Sequence, residues 1–288
     1  MTISPIVTPF WDGPTGSWQY VVHDPATRHG AIIDPVLDFD PIHARVSTKN
    51  ADRILEHIRA QGLTIDWVLD THPHADHFSA AIHLAQALGA RRGIGAQVVE
   101  VQALWKEIYN LPDDFPTDGR QWDRLFADGD ELMIGELPVR VMFTPGHTLA
   151  SVSYIAGDAA FVADTLMMPE SGTVRADFPG GSSAELYESL QRLLALPETT
   201  RVFVGHDYPD DWDDPRCEAT VAEHRARNAH LAEVADKAAF VALRDRRDAT
   251  LDLPMRMLAA LQVNLRGGRL PEPEANGQSY LKIPLNRF

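Results

Sequence analysis

The sequence predicts a mixed α/β fold, and two observations carry that expectation. Short apolar runs of strand length alternate with amphipathic helical stretches through most of the 288 residues, with Gly, Pro and Asp between them. Hydrophobic residues make up 44% of the chain and charged residues 23%, enough apolar material for a full core and a composition that excludes intrinsic disorder.

The elements follow in chain order. Gln19-Tyr20-Val21-Val22 and Ala31-Ile32-Ile33-Asp34 read as neighbouring strands joined by the turn residues Asp24-Pro25-Ala26-Thr27. Residues 51–61 place Ile54, Leu55 and Ile58 on one helical face, with a cap expected at Asn50 and a stop at Gly62. Ile65-Asp66-Trp67-Val68-Leu69 is the next strand. A second helix is expected over 78–88, ended by Gly89, and the Pro-, Asp- and Gly-rich stretch 111–129 reads as a surface loop. Residues 139–143, 152–155, 161–163 and 201–204 are further strands, with a helix over about 184–196 between the last two. From about Cys217 the pattern turns helical and charged, with no strand-like run before the C-terminus. Gly267-Gly268 and Pro271-Glu272-Pro273-Glu274 then introduce an irregular tail. One domain is expected over 1–288, with a core of about 1–215 and C-terminal helices and tail over about 216–288.

Charge and cysteine content narrow the function. Twenty-six Lys and Arg against 41 Asp and Glu give a net charge of −15, which repels nucleic acid and anionic membrane surfaces. A small anionic substrate would need a local basic cluster. The single cysteine, Cys217, cannot form an internal disulfide, and Met1-Thr2-Ile3-Ser4-Pro5 lacks a charged region followed by an apolar one, so a cytoplasmic location is expected. A homodimer is compatible with the sequence.

Five of the 12 histidines sit just beyond an apolar run. Leu69-Asp70 leads into Thr71-His72-Pro73-His74-Ala75-Asp76-His77, Met142-Phe143 into Thr144-Pro145-Gly146-His147, and Val204 into Gly205-His206. Phe161-Val162-Ala163 leads likewise into Asp164. Ligands in open α/β folds bind outside the carboxyl ends of strands, so four such ends delivering His or Asp imply one convergent site. Imidazole and carboxylate suit zinc or ferrous iron, and a thiol-based site is disfavoured because Cys217 lies outside every cluster. The period of two sends His72 and His74 the same way, and the chain then turns so that Asp76 and His77 approach from the helix start. Asp76 could also cap that helix, a role compatible with ligation.

These motifs resemble the metallo-β-lactamase superfamily. Within it, Ile33-Asp34-Pro35-Val36-Leu37, the Thr144 to Thr148 turn, Arg175-Ala176-Asp177-Phe178-Pro179-Gly180-Gly181 and His206-Asp207-Tyr208 resemble the persulfide dioxygenases. The tail is similar to their longer bacterial branch, whose members have been labelled β-lactamase-like hydrolases. The resemblance implies an αββα sandwich and one Fe(2+) per chain, oxidising glutathione persulfide with O2 to sulfite and glutathione. Its iron ligands carry over onto His72, His147 and Asp164, with His74, Asp76, His77 and His206 orienting ligands and water. The same seven residues could hold two Zn(2+) ions, as in the glyoxalase II branch, for thioester hydrolysis. A third reading is a non-catalytic metal-binding or sulfur-sensing protein, which the intact ligand set disfavours.

A glutathionyl substrate carries carboxylates, and a bidentate arginine recognises them well. Arg175 is the first candidate, supported by the resemblance. Tyr208 could donate its hydroxyl to substrate or pack as an ordinary aromatic. Arg266, Arg269 and Lys282 would add positive charge if the tail folds over the site, and otherwise serve as solvated surface charge. The run Asp210-Asp211-Trp212-Asp213-Asp214 reads as a solvated loop.

Overall fold

Alternation of side chains along the apolar runs builds two sheets that face each other. The computed structural model describes residues 4–208, 214–232 and 234–288; Asp210 to Asp213 of the acidic run lie outside them. The first half of the chain forms β1 (Ile6–Asp12), β2 (Ser17–His23), β3 (His29–Ile33), β4 (Val36–Asp40), β5 (Arg45–Ser47), α1 (Lys49–Gln61), β6 (Thr64–Leu69), β7 (Phe78–Ser79), α2 (Ala81–Leu88), β8 (Arg91–Gly95), α3 (Val98–Ile108) and β9 (Arg124–Phe126). The second half forms β10 (Glu131–Ile134), β11 (Leu137–Phe143), β12 (Val152–Ala156), β13 (Ala159–Ala163), α4 (Ser183–Leu194), β14 (Arg201–Val204), β15 (Glu218–Thr220), α5 (Val221–Arg227), α6 (Lys237–Asp248) and α7 (Met257–Asn264).

One six-stranded sheet runs β1-β2-β3-β6-β8-β9 and the other β10-β11-β12-β13-β14-β15, with β5-β4-β7 as a small third sheet. Tyr20, Val22, Ala31, Ile33, Trp67 and Leu69 of the first sheet meet Val139, Val141, Tyr154, Phe161 and Phe203 of the second in one buried cluster. The alternate residues Val21, Ile32 and Val68 turn outward and pack under α1, α2 and α7. Ala160, Val162 and Val202 turn outward from the second sheet under α4 and α6. A period of two, read on both faces, therefore yields the expected αββα sandwich with a C-terminal helical extension.

Several local expectations need correcting. The first helix begins at Lys49 after Thr48, while Asn50 is buried inside its first turn and donates its amide to Asp12 and Asp38; Gly62 does end the helix, with φ 60°. Residues 78–79 are a short strand paired to β4, and the second helix starts only at Ala81 after Ala80, so Asp76 does not cap it. The stretch 111–129 is not all loop, because Arg124–Phe126 closes the first sheet beside β8. Glu218–Thr220, expected to be helical, pairs antiparallel with β14 before Thr220 and Glu223 form a capping box for α5. The C-terminal helix α7 is no loose appendage: Ala260 and Val263 are buried under the first sheet. Among the described residues no helix is long and apolar enough to cross a membrane.

Candidate metal centre

The loops after β6, β11, β13 and β14 converge, and each ends a strand whose apolar residues are locked in the sandwich. The ligand atoms of His72, His147 and Asp164 lie within 4.8 Å of one another, as do those of Asp76, Asp164 and His206, and those of His74, Asp76 and His77. Asp164 joins the first two groups. Its Oδ2 is 3.4 Å from His147 Nε2 and 3.7 Å from His72 Nε2, while its Oδ1 is 3.2 Å from His206 Nε2. Asp76 Oδ2 lies 3.5 Å from His206 Nε2 and 4.0 Å from His77 Nε2. All seven expected residues thus belong to one cluster, linked through Asp76 and Asp164.

Hydrogen bonds behind the rings set which nitrogen faces inward. His147 Nδ1 donates to the Arg175 carbonyl (2.8 Å), His206 Nδ1 to the Gly16 carbonyl (3.0 Å) and His77 Nδ1 to the Phe78 carbonyl (3.0 Å). His72 Nδ1 donates to Thr71 Oγ1 (3.1 Å), whose own hydroxyl donates to Asp34. His72, His77 and His147 therefore present an Nε2 lone pair to the centre, the arrangement expected of imidazole ligands, whereas His206 turns its Nε2 to Asp164, whose carboxylate overrides burial and raises that ring well above its ordinary pKa. His74 is reversed: its Nε2 donates to Asp34 Oδ1 at 2.9 Å.

The electrostatics agree with a cation site. Burial, reinforced by the neighbouring His74, holds the His72 imidazole well below its ordinary pKa, so the ring is neutral and able to ligate. Burial alone would raise Asp164, but the imidazoles of His206 and His147 outweigh it and hold the carboxyl well below the usual range. Burial opposes a charge on His74 too, yet the Asp34 carboxylate overrides it and raises the ring to about 9. His72 Nε2 and Asp164 Oδ1 are buried without a hydrogen-bond partner. Orphaned inward lone pairs of this kind are costly unless a cation satisfies them, and the donor set fits a divalent metal.

Gly205 shows why the backbone here is constrained, since a Cβ on it would lie 2.7 Å from Asp164 Oδ1. Asp34 is the residue most informative to add. It holds a positive φ of 50° after β3 and accepts from Thr71 N, Thr71 Oγ1 and His74 Nε2, tying the metal loop to the first sheet. Its signal, an acid directly after a strand run, is the same one that identifies Asp164. Asn264 of α7 had no such signal, yet it donates to the carbonyls of His74 (2.7 Å) and His77 (2.8 Å) and accepts from Ser79 N.

The substrate-binding expectations divide. Arg175 lines a cavity of about 680 Å³ together with His147, Asp164, His206 and Tyr208. Its guanidinium is held by Asp177 through two bonds of 2.7 Å and by the Asp252 carbonyl, and it lies over the Phe178 ring. The half-exposed Tyr208 ring stacks on His206 with 5.6 Å between centroids. The three tail cations lie elsewhere. Arg266 packs over Phe115, Lys282 donates to the Asn110 carbonyl, and Arg269 is exposed outside this cavity. Burial pushes the Cys217 thiol up to about 12, which leaves it unreactive as a nucleophile.

A family model described as the metallo-β-lactamase superfamily matches residues 12–206. The chain is 59% identical over 283 residues to a β-lactamase hydrolase-like protein of Xylella fastidiosa, a match covering 98% of this chain and 65% of that protein, so the chain spans about two thirds of that relative. It is 45% identical to Glyoxylase B2 of Dictyostelium discoideum, covering 97% of this chain and 96% of that protein. Among solved structures, ETHE1 from Myxococcus xanthus aligns with a TM-score of 0.73 and 30% identity, covering 92% of this chain and all of that one.

Proposed function

The chain belongs to the metallo-β-lactamase superfamily, and from that premise we propose that it is an iron-dependent persulfide dioxygenase, converting glutathione persulfide, O2 and water to glutathione and sulfite. One observation carries the choice. His72, His147 and Asp164 form a ligand set of two imidazoles and one carboxylate that leaves His74 out, since His74 is drawn to Asp34 and groups with Asp76 and His77. Two histidines and a carboxylate are the donor set of non-haem ferrous oxygenases, and three protein ligands leave positions open on the ion. When bound, ferrous iron supplies the redox-active centre at which a persulfide and O2 can react. The similarity to ETHE1 supports the same reading.

The protein's own groups have defined work in this proposal. His72, His147 and Asp164 hold the ion, while Arg175 O and Thr71 fix the tautomers of the two rings. His206, hydrogen-bonded to Gly16 and facing Asp164, is placed to hold a proton beside the carboxylate. Phe178 and Met167 line the approach and exclude water from the reacting sulfur.

A second reading, a binuclear zinc thioester hydrolase, is favoured by the position of Asp164 between the His72–His147 pair and His206, where a carboxylate could bridge two ions. The 45% identity to Glyoxylase B2 is in keeping with it. Metal analysis of protein purified without added metal, followed by oxygen uptake with glutathione persulfide, separates the two. One iron per chain with O2 consumption is expected. Two zincs per chain with thioester cleavage and no O2 uptake would overturn the proposal.

A further inference from the structure

The cavity in front of the metal centre is lined by three arginines, and they are not equivalent. Arg175 is neutralised by Asp177 through Nε and Nη2, and its Nη1 donates to the Asp252 carbonyl. Arg244 is buried and bonded to Asp248 Oδ1 at 2.6 and 2.9 Å, with a further bond to the Thr173 carbonyl. Both guanidinium groups have structural work. Arg244 and Asp248 together brace the loop that holds His147, because Asp248 Oδ2 accepts from Ala176 N next to the Arg175 carbonyl.

Arg247 differs from both. It lies three residues beyond Arg244, so it shares that helix face one turn further along α6, and it is exposed at the cavity wall. Among the described residues its guanidinium makes no ion pair with any carboxylate, although the chain carries 41 acidic residues against 26 basic ones. Of the acidic residues that line the cavity, Glu170 is paired to Arg216 and Arg227, Asp76 and Asp164 face the histidines, and neither these nor Asp252 forms an ion pair with Arg247. An uncompensated guanidinium at the mouth of a cavity, in a chain of net charge −15, is a place for an external carboxylate.

We propose that Arg247 recognises a carboxylate of the low-molecular-weight thiol that this cavity takes, and that it, rather than Arg175, supplies the charge for substrate selection. The inference rests on the reading of the site as one for a glutathionyl substrate, whether that substrate is a persulfide or a thioester. His230 supports it from the adjoining wall. Burial, with the charges of Arg244 and Arg247, pulls that imidazole down to about 4, so it is neutral and adds no second cation there.

The test compares Arg247→Ala and Arg247→Lys with the metal-loaded parent chain in two measurements. Calorimetric titration with glutathione and with glutathione monoethyl ester should show roughly a tenfold weaker Kd for glutathione in Arg247→Ala. Arg247→Lys should recover part of that affinity, with the metal content of all three proteins equal. The preference for the free acid over the ester should shrink in Arg247→Ala, a change that general loosening of α6 would not produce. Oxygen uptake with glutathione persulfide should show KM rising by a similar factor with kcat little altered. Unchanged glutathione affinity and KM in Arg247→Ala, with O2 uptake intact, would overturn the role of Arg247 and leave the dioxygenase standing. Weakened glutathione binding in Arg247→Ala, in a parent chain that consumes no O2, would sink the dioxygenase and leave Arg247 in place.

Discussion

At the scale of single residues, burial neutralises a histidine that serves the fold just as it neutralises the candidate ligand His72. His224 is completely buried on α5, and burial brings its pKa down from 6.5 to about 4. The unfolded chain therefore binds its proton more tightly than the folded one between about pH 4 and 6.5. The stability this neutral ring contributes is full above pH 6.5 and is lost as pH falls toward 4, roughly 2 kcal/mol of it by pH 5. Replacing His224 by Leu removes that titration. Urea unfolding at pH 7 and pH 5 should show the variant losing about 2 kcal/mol less than the parent on acidification, and equal losses would mean His224 keeps its proton affinity on folding. The ligand residues are legible in the sequence for a related reason. An apolar run with period two marks a buried strand, and a His or Asp directly after it must sit at the strand's carboxyl end, as His147, Asp164 and His206 do. Arg247 is not legible in this way. Its helix reads as a charged, solvated one, and only packing against the 173–178 loop shows that one face lines a cavity.

At the scale of elements, the segments left unread or misread in the sequence are those whose form is decided by neighbours. Arg91-Arg92-Gly93-Ile94-Gly95 has little strand character of its own, yet it forms β8 between β6 and β9. There the side chain missing from Gly93 leaves room for the Phe126 ring, which a Cβ would meet at 2.4 Å, and Arg91 lies 3.9 Å over the Trp67 ring. The C-terminal helix is the larger case. Its sequence suggests an appendage, whereas Asn264 at its end clamps the metal loop by donating to the His74 and His77 carbonyls and accepting from Ser79 N. Those bonds are buried, so Asn264→Leu leaves two carbonyls and one N–H unsatisfied within the loop that carries four candidate ligands, at a cost of about 1–3 kcal/mol for each group left without water. Chelator competition on the folded variant should show metal affinity reduced at least tenfold, with Asn264→Asp recovering only the bond from Ser79 N. Unchanged metal affinity in Asn264→Leu would show that the loop keeps its shape without α7.

At the scale of the whole molecule, the αββα sandwich carries its charge in an uneven way. Most surface arginines that the structure describes near the cavity are paired with acids, while Asp34, Asp70 and Asp164 are buried beside the metal loop. The imidazoles compensate only part of this. Burial keeps His72 and His77 neutral, and their inward nitrogens are lone pairs with no proton to offer Asp76 or Asp164. A divalent cation completes the balance, so its removal should destabilise the folded chain and not only abolish turnover. Binding at a thousandfold excess over Kd stabilises by about 4 kcal/mol, which for a domain near this size corresponds to a midpoint shift on the order of 10 °C. Scanning calorimetry of the metal-loaded protein and of the same protein after chelation should show that drop, and adding back ferrous iron anaerobically should restore it. His147→Ala, which removes one ligand of the proposed iron set, should unfold near the chelated midpoint whether or not iron is supplied. If chelation strips the metal and the midpoint stays where it was, the buried carboxylates are balanced by protonated histidines alone, and the convergence of four strand ends would have to be explained without a resident ion.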